Sequence, residues 1–154
     1  MADYRQVMDT NVTCHVELTQ KVLPYMTQKK WGRIIFITSV WGALGARRRA
    51  AYTASKFALQ GLALSLADEY AKDGVKINCV APGFIDVDET SIPGRGPERN
   101  RFLAEKTPMR RLGRPEEVGQ MVKWLISEES DYVSGQVFVV DGGFQNSGSR
   151  GEAF

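Results

Sequence analysis

The sequence SVWGALGARRRAAYTASK, residues 39–56, follows a short apolar run at residues 33–38 and leads into a helical pattern at residues 51–72. A short, continuous apolar run is typical of a strand that is buried on both faces of a parallel sheet. The helical pattern ends at Asp73-Gly74, where glycine readily adopts a left-handed conformation. The stretch therefore predicts a strand, a loop and a helix in succession, which is the repeating unit of an α/β sheet.

Three side chains of this stretch suggest a proton-transfer site. Tyr52 and Lys56 are four residues apart, so a helix places them on one face. Ser39 lies where the strand ends, and from there its hydroxyl can converge on Tyr52. A neighbouring ammonium favours the phenolate form of a phenol, whose pKa is otherwise about 10, so that it can exchange a proton near neutral pH. A hydroxyl can hold a substrate oxygen, and the set is suited to interconverting an alcohol and a carbonyl.

These residues resemble the classical short-chain dehydrogenase/reductase family. Tyr52-Thr53-Ala54-Ser55-Lys56 matches the family's Y-x-x-x-K, and Ser39 lies thirteen residues upstream of Tyr52, as it does in the family. Further matches follow in register: Asn11 within Met8-Asp9-Thr10-Asn11-Val12-Thr13, Asn78-Cys79-Val80-Ala81-Pro82-Gly83, Arg111-Leu112-Gly113-Arg114-Pro115-Glu116-Glu117-Val118 and Val140-Asp141-Gly142-Gly143. Together these segments cover nearly the whole chain.

The resemblance implies roles for individual residues. Tyr52 would donate or accept the proton, and Ser39 would orient the substrate carbonyl. Lys56 would favour the phenolate form of Tyr52 and hold the nicotinamide ribose. Asn11 would support a water-linked proton relay. The implied cofactor is NAD or NADP, with nicotinamide-side contacts from Tyr52, Lys56, Pro82, Gly83 and Ile85. The family often has Thr where this chain has Val87, so one hydroxyl contact to the cofactor is missing.

The resemblance also implies the fold: the last three parallel strands and flanking helices of a doubly wound Rossmann-type sheet, forming one partial domain over residues 1–154. The family begins with a strand, a G-x-x-x-G-x-G turn and a helix whose N-terminus holds the pyrophosphate. No such segment occurs between Met1 and Phe154. The chain is therefore predicted to be the C-terminal portion of such an enzyme, without the adenine and pyrophosphate half-site, and to be inactive alone.

Helices and strands are predicted along the rest of the chain. A helix is predicted over residues 2–29, with Asp3 as its N-cap; it contains Pro24 and ends before Trp31-Gly32. The remaining predicted segments are a strand at 75–81, a mobile stretch at 92–97, a short helix at 98–106, a helix at 115–127, a last strand within 134–143 and a flexible tail at 145–154.

Three local patterns allow two interpretations each. Gly42 and Gly45 can form a phosphate-cradling loop, but no helix is predicted directly after them, and we favour a loop on the rim of the active site. The run 47–49, Arg-Arg-Arg, is either a solvated loop, which is the commoner case, or a contact for a substrate phosphate or carboxylate. Cys14 beside His15 can be an activated thiol, but adjacent helical side chains are expected to diverge.

Composition limits the possible partners. The chain has 154 residues, 43% hydrophobic and 25% charged, with a net charge of +2. That charge is too small to indicate nucleic acid or an acidic membrane as the main partner. Two cysteines provide no disulfide framework, and no Cys/His spacing indicates a metal site. No signal peptide and no apolar run long enough for a bilayer is present, so we expect a cytoplasmic protein.

Two functions from different classes fit the sequence. The first is the catalytic half of an oxidoreductase that acts on a small-molecule alcohol or carbonyl. The second is a non-catalytic assembly module, in which the helices at 2–29 and 51–72 mediate homo-oligomerisation. A decayed module need not keep Ser39, Tyr52, Lys56 and Asn11 together, and the chain has all four. Their joint presence favours an enzymatic lineage.

Overall fold

The computed structural model describes residues 4–87 and 96–147. Three strands form one sheet in the order β1-β2-β3: β1 (Gly32–Ile37), β2 (Val75–Pro82) and β3 (Val137–Val140). Both pairings are parallel, with Gly32 opposite Val75 and Cys79 opposite Val137. The predicted α/β class, with parallel strands and flanking helices, is confirmed.

Five α-helices occur among the described residues. They are α1 (Tyr4–Met8), α2 (Cys14–Lys29), α3 (Ala50–Tyr70), α4 (Pro97–Lys106) and α5 (Pro115–Ile126). A π-helical turn, Asp9–Thr13, joins α1 to α2, and short 3₁₀ turns occur at Val40–Gly42, Ala71–Asp73, Glu128–Ser130 and Phe144–Asn146. Gly74 has φ 76°, so α3 and its 3₁₀ extension end at the left-handed glycine that the sequence predicts.

The expectation of one regular helix over residues 2–29 was wrong at residues 9–13. Short polar side chains there bond locally, since Thr13 Oγ1 donates to Asp9 Oδ1 and Cys14 Sγ donates to the Thr10 carbonyl. Such bonds compete with the regular helical ladder. Pro24 lies inside α2 without ending it, and the helix ends at Lys29, before Lys30, which has φ 54°. Asp3, the predicted N-cap, lies outside the described residues.

The core lies between α3 and the sheet. Leu59, Ala63 and Ala67 of α3 pack against Ile77 and Cys79 of β2, all at 5% exposure or less. Small side chains on α3 let the helix approach the strand closely. Burial raises the pKa of the Cys79 thiol to about 12, which makes it an inert core group.

A buried amide connects β2 to the segment before β3. Asn78 is fully buried; its Nδ2 donates to the Val133 carbonyl at 3.0 Å, and its Oδ1 accepts from the Gln136 N–H at 3.0 Å. Because both polar atoms are satisfied, the burial of Asn78 is not penalised. These bonds hold the start of β3 beside β2.

The two edges of the sheet differ in character. At the amino edge, where the strands begin, Arg33 of β1 and Lys76 of β2 both pair with Asp131, at 2.9 and 2.8 Å. At the carboxyl edge, where the strands end, Gly83 comes directly after β2 and lies against Asp141. A Cβ on Gly83 would be only 2.7 Å from the Asp141 Cβ. The carboxyl edge of an α/β sheet is where ligands bind.

The remaining segments lie near the ends of the described ranges. The predicted short helix at 98–106 is present as α4, and the predicted mobile stretch at 92–97 lies mostly outside the described residues. Of the predicted tail, Gln145 belongs to a 3₁₀ turn and its N–H donates to Asp141 Oδ2 at 2.6 Å. Residues 148–154 lie outside the described part. No helix within 4–87 or 96–147 has the length and apolarity to cross a bilayer.

Candidate active site

Tyr52 lies in the first turn of α3, at the carboxyl edge of the sheet. Its ring packs against a buried cluster formed by Val40, Trp41 and Phe144. It also lines a cleft of ≈ 870 Å³, called here the Tyr52 cleft. The described lining residues of this cleft are Val7, Trp41, Arg47, Arg48, Arg49, Ala50, Ala51, Tyr52, Phe84, Arg99, Phe102, Leu103 and Lys106. The Tyr52 ring is therefore supported by the core and borders open space.

Lys56 lies one turn further along the same face of α3. Its Nζ donates to the Ile37 carbonyl at 3.0 Å, and it lies 5.5 Å from the centroid of the Tyr52 ring. Burial lowers the pKa of the Lys56 ammonium below its ordinary value, because desolvation disfavours the charged form. The carbonyl at the end of β1 thus holds a partly desolvated cation next to the Tyr52 ring.

Ser39 follows β1 by two residues and is 6% exposed. Its Oγ accepts a hydrogen bond from the Trp41 N–H at 3.3 Å, which caps the 3₁₀ turn Val40–Gly42. Accepting this bond leaves the hydroxyl hydrogen available for donation. The structure thus places the Ser39 hydroxyl at the carboxyl edge with an orientation fixed by the backbone.

Asn11 reaches the site from the π-helical turn. Its Nδ2 donates to Ser55 Oγ at 3.0 Å, and Ser55 Oγ donates to the Tyr52 carbonyl at 2.7 Å. Ser55 is fully buried. This chain of bonds connects the π turn to the first turn of α3, and π turns occur frequently at functional sites.

Pro82 is the last residue of β2, and Gly83 and Ile85 lie just after it. Gly83 N–H donates to the Val140 carbonyl at 3.0 Å, and Ile85 forms an isolated parallel bridge with Gly113. These bonds hold the segment after β2 against the segment before α5. The three predicted cofactor contacts therefore share the carboxyl edge with Ser39 and Tyr52, although Ser39, Lys56 and Asn11 are not among the described residues that line the Tyr52 cleft.

Gly42 packs against α3 instead of forming an open loop. A Cβ at Gly42 would lie 2.5 Å from Gln60 Nε2 and 3.3 Å from the Lys56 carbonyl. No helix begins after Gly42 until Ala50. The geometry supports the rim-loop interpretation of Gly42 and Gly45 over the phosphate loop.

Cys14 and His15 are closer than expected. Cys14 Sγ lies 3.2 Å from His15 Nδ1, so the expectation that their side chains diverge was wrong. The irregular π turn immediately before Cys14 changes the local direction of the side chains. Because Cys14 Sγ also donates to the Thr10 carbonyl at 2.8 Å, the thiol proton is used in a backbone bond.

Similarity to known proteins identifies the family. A family profile described as enoyl-(acyl carrier protein) reductase matches residues 1–145. The chain belongs to the short-chain dehydrogenase/reductase family. It is 39% identical over 142 residues to the 3-oxoacyl-[acyl-carrier-protein] reductase FabG of Thermotoga maritima, covering 92% of this chain and 56% of the relative. The chain thus spans little more than half the length of that relative.

Solved structures of dehydrogenases have the same fold. A gluconate 5-dehydrogenase from Burkholderia cenocepacia in complex with NADP and tartrate matches with a TM-score of 0.88 at 29% identity, covering 94% of this chain and 57% of that one. A mutant 4-hydroxyisoleucine dehydrogenase complexed with NADH and succinate matches with a TM-score of 0.87 at 29% identity, covering 96% and 61%. The three strands therefore belong to a Rossmann-type dehydrogenase sheet.

Sequence reasoning about this short-chain dehydrogenase/reductase missed two groups. Ser55 received no role, although it stands three residues after Tyr52, where a helix turns a polar side chain toward the same side as Tyr52. The second group is Arg99 and Lys106 of α4, which line the same Tyr52 cleft as the arginine run. Nothing in the sequence pairs α4 with that run, because the two segments are far apart along the chain.

Proposed function

We propose that this chain is the catalytic half of an NAD(P)-dependent oxidoreductase that interconverts a secondary alcohol and a carbonyl. The observation that supports the proposal most strongly is the placement of Tyr52 and Lys56. The phenol borders an open cleft, and the ammonium is fixed beside its ring by the Ile37 carbonyl at 3.0 Å. A positioned acid next to a cation is what proton transfer to a carbonyl oxygen needs.

Each residue has a defined part in this proposal. During reduction the Tyr52 hydroxyl donates its proton to the carbonyl oxygen, and during oxidation it takes the alcohol proton back. The Ser39 hydroxyl, whose oxygen already accepts from Trp41, donates to the same substrate oxygen. Asn11 supports a water-linked return path for the proton. The Asn11–Ser55 and Ser55–Tyr52 hydrogen bonds hold Asn11 in a fixed position relative to α3.

The residues present fit the nicotinamide part of the cofactor. NAD(P)H supplies the hydride when it is bound. The Lys56 ammonium has N–H groups beyond the one bonded to Ile37, and these suit ribose hydroxyls. Pro82, Gly83 and Ile85 form the backbone edge against which nicotinamide would lie. The NADP and NADH named in the two structural relatives support either dinucleotide.

The described residues do not provide a pyrophosphate site. Within 4–87, α3 follows β1 but begins only at Ala50, after the 3₁₀ turn Val40–Gly42 and a further loop, whereas pyrophosphate binds where a short glycine turn leads directly from a strand into a helix. We therefore propose that the chain alone binds dinucleotide weakly and turns over no substrate. The cytoplasmic location remains a prediction.

We also propose that α2 and α3 mediate self-association. A groove of ≈ 510 Å³ runs between them and is lined in part by Leu23, Leu62 and Tyr70. Large apolar side chains of the same helices are exposed, among them Leu18 at 61% and Tyr25 at 70%. Exposed apolar patches of this kind mark interaction sites, and two-fold pairing is the commonest arrangement. A well-folded monomer at micromolar concentration in sedimentation would contradict this.

A cofactor titration tests the main proposal. NADH and NADPH fluorescence is followed on the purified chain, and on a chimaera in which the part of the Thermotoga maritima reductase that this chain does not match precedes Met1. We expect micromolar binding by the chimaera and at least about hundredfold weaker binding by the chain, because several contacts of about 1–3 kcal/mol each are missing. Micromolar binding by the chain alone would show that its cofactor site lies elsewhere, and an intact chimaera that binds neither dinucleotide would contradict the proposed function.

A further inference from the structure

Two separate segments of the chain contribute basic side chains to the Tyr52 cleft. Arg47, Arg48 and Arg49 come from the loop before α3, and Arg99 and Lys106 come from α4. No Asp or Glu is among the described lining residues. A concave site with one sign of charge raises the local concentration of the opposite sign, so the cleft favours anions.

The four arginines of the cleft have no protein partner among the described residues. Arg47, Arg48, Arg49 and Arg99 form none of the side-chain hydrogen bonds or ion pairs found within 4–87 and 96–147. Arg101, on the same helix as Arg99, pairs with Glu105. The four arginines at the cleft are therefore available to a ligand, whereas Arg101, which lies outside the cleft, is already paired.

The backbone turns the arginine run toward the cleft. Consecutive side chains of an extended segment point to opposite sides, yet all three arginines line one cleft. Arg48 has φ 60°, a left-handed conformation that is uncommon for a residue other than glycine. Such strained residues concentrate at ligand-binding sites. α3 then begins at Ala50 with no side-chain cap and no acidic residue in its first turn, which adds to the positive potential.

The cleft-lining residues of α4 are related by helical spacing. Arg99, Phe102, Leu103 and Lys106 recur at intervals of three and four residues and so share one face of α4. Trp41 and Phe84, which contact each other edge to face with centroids 6.3 Å apart, supply further apolar lining. The cleft thus combines an apolar interior, a phenol and guanidinium groups, which suits an organic anion better than a flat acidic surface.

We propose that the Tyr52 cleft binds a carbonyl substrate through an anionic substituent, a carboxylate or a phosphate ester, which Arg47, Arg48, Arg49 and Arg99 hold while the carbonyl lies at Tyr52. The inference names the substrate class of the proposed oxidoreductase and rests on that function for the role of Tyr52. Guanidinium groups bind carboxylate and phosphate through paired hydrogen bonds, so the arginines select the anion and fix the distance between it and the reacting carbonyl.

The test uses the 154-residue chain and two matched probe pairs. Dihydroxyacetone phosphate is compared with dihydroxyacetone, and acetoacetate with methyl acetoacetate. Binding is followed by the NMR signal of the Trp41 indole N–H, identified with Trp41→Phe, since Trp41 lines the cleft. We expect the charged member of at least one pair to bind about tenfold or more tightly than its neutral counterpart. The pair that shows the difference distinguishes phosphate from carboxylate.

Variants separate a built site from general charge. Arg47→Gln/Arg48→Gln/Arg49→Gln and Arg99→Gln should each weaken binding of the charged probe by about tenfold or more. Arg101→Gln removes the same charge from the same helix outside the cleft, and its affinity should stay within about twofold of the parent. All of these positions are exposed, so the variants should fold.

Several results would overturn the inference. These are equal affinity for charged and neutral probes, equal losses in Arg99→Gln and Arg101→Gln, or binding of poly-L-glutamate with none of the small probes, which would indicate an acidic protein partner. Failure of the proposed function is separable. A chimaera that reduces only neutral ketones refutes the anion site and keeps the oxidoreductase. Arginine-dependent anion binding, together with a chimaera that turns over no substrate, keeps the anion site and refutes the oxidoreductase.

Discussion

The cations at the two edges of the sheet differ in their partners. At the amino edge Arg33 has a side chain only 4% exposed, and it shares the Asp131 carboxylate with Lys76. At the carboxyl edge Lys56 donates to a backbone carbonyl, and the four cleft arginines form no ion pair within the described residues. Paired cations join elements of the fold, whereas cations without a carboxylate partner are available to a ligand. Changes at the amino edge should therefore affect stability, and changes at the carboxyl edge should affect binding and turnover.

The largest effect is expected at Lys56. Lys56→Met keeps the length of the side chain and removes the ammonium that lies beside the Tyr52 ring. In the chimaera, turnover should fall by about 10²–10⁴-fold, the usual cost of disabling acid–base catalysis, and the Kd for NADH or NADPH should rise. Steady-state rates and cofactor fluorescence measure both. Unchanged values of both would remove Lys56 from the mechanism and break the contrast between the two edges.

At the amino edge the effect should fall on stability. Asp131→Asn leaves the Arg33 guanidinium buried without its carboxylate, and Arg33 Nε already has no hydrogen-bond partner. An uncompensated buried charge is strongly destabilising, so the melting temperature should fall by several degrees. Arg33→Met is the matched variant, because replacing a buried ion by an apolar side chain of similar size is often neutral. Equal melting temperatures for Asp131→Asn and the parent would show that this pairing does not stabilise the fold.

A smaller, pH-dependent effect is expected at another paired cation, Arg111. The pKa of Glu117 is lowered to about 2 from 4.5. The hydrogen bond from the Arg111 guanidinium is the larger cause, and the hydrogen bond from the Arg114 N–H is the second. A carboxylate with a lowered folded-state pKa contributes stability that is present above the unfolded pKa and is lost as the pH falls through the folded one. The contribution should therefore disappear between about pH 4.5 and pH 2.

The measurement is the melting temperature between pH 5 and pH 2.5 for the parent, for Glu117→Gln and for Glu116→Gln. The melting temperature of Glu117→Gln should fall less on acidification than that of the parent. The melting temperature of Glu116→Gln should fall as much as that of the parent, since Glu116 forms no ion pair within the described residues. Parallel curves for all three proteins would contradict the assignment.

The sequence predicted the positions of the candidate site residues better than the packing around them. Y-x-x-x-K fixes Tyr52 and Lys56 on one helical face by spacing alone, and the apolar run before Ser39 places that hydroxyl at the end of a strand. The π turn at Asp9–Thr13 was missed because local side-chain bonds there outweigh helical periodicity. The Asn11–Ser55 bond was missed because it joins residues 44 positions apart. The basic side chains of α4 at the cleft were missed for the same reason. Periodicity records which side of a helix is apolar, but it does not record which loop lies opposite.

The most direct measurement is the rate of NADH or NADPH oxidation by the chimaera and by its Tyr52→Phe variant, with acetoacetate and dihydroxyacetone phosphate as substrates. Tyr52→Phe keeps the ring that packs against Trp41 and Phe144 and removes only the hydroxyl. We expect turnover to fall by about 10²–10⁴-fold, with cofactor Kd and melting temperature nearly unchanged. Turnover within a few-fold of the parent would contradict the assignment of Tyr52 as the proton donor.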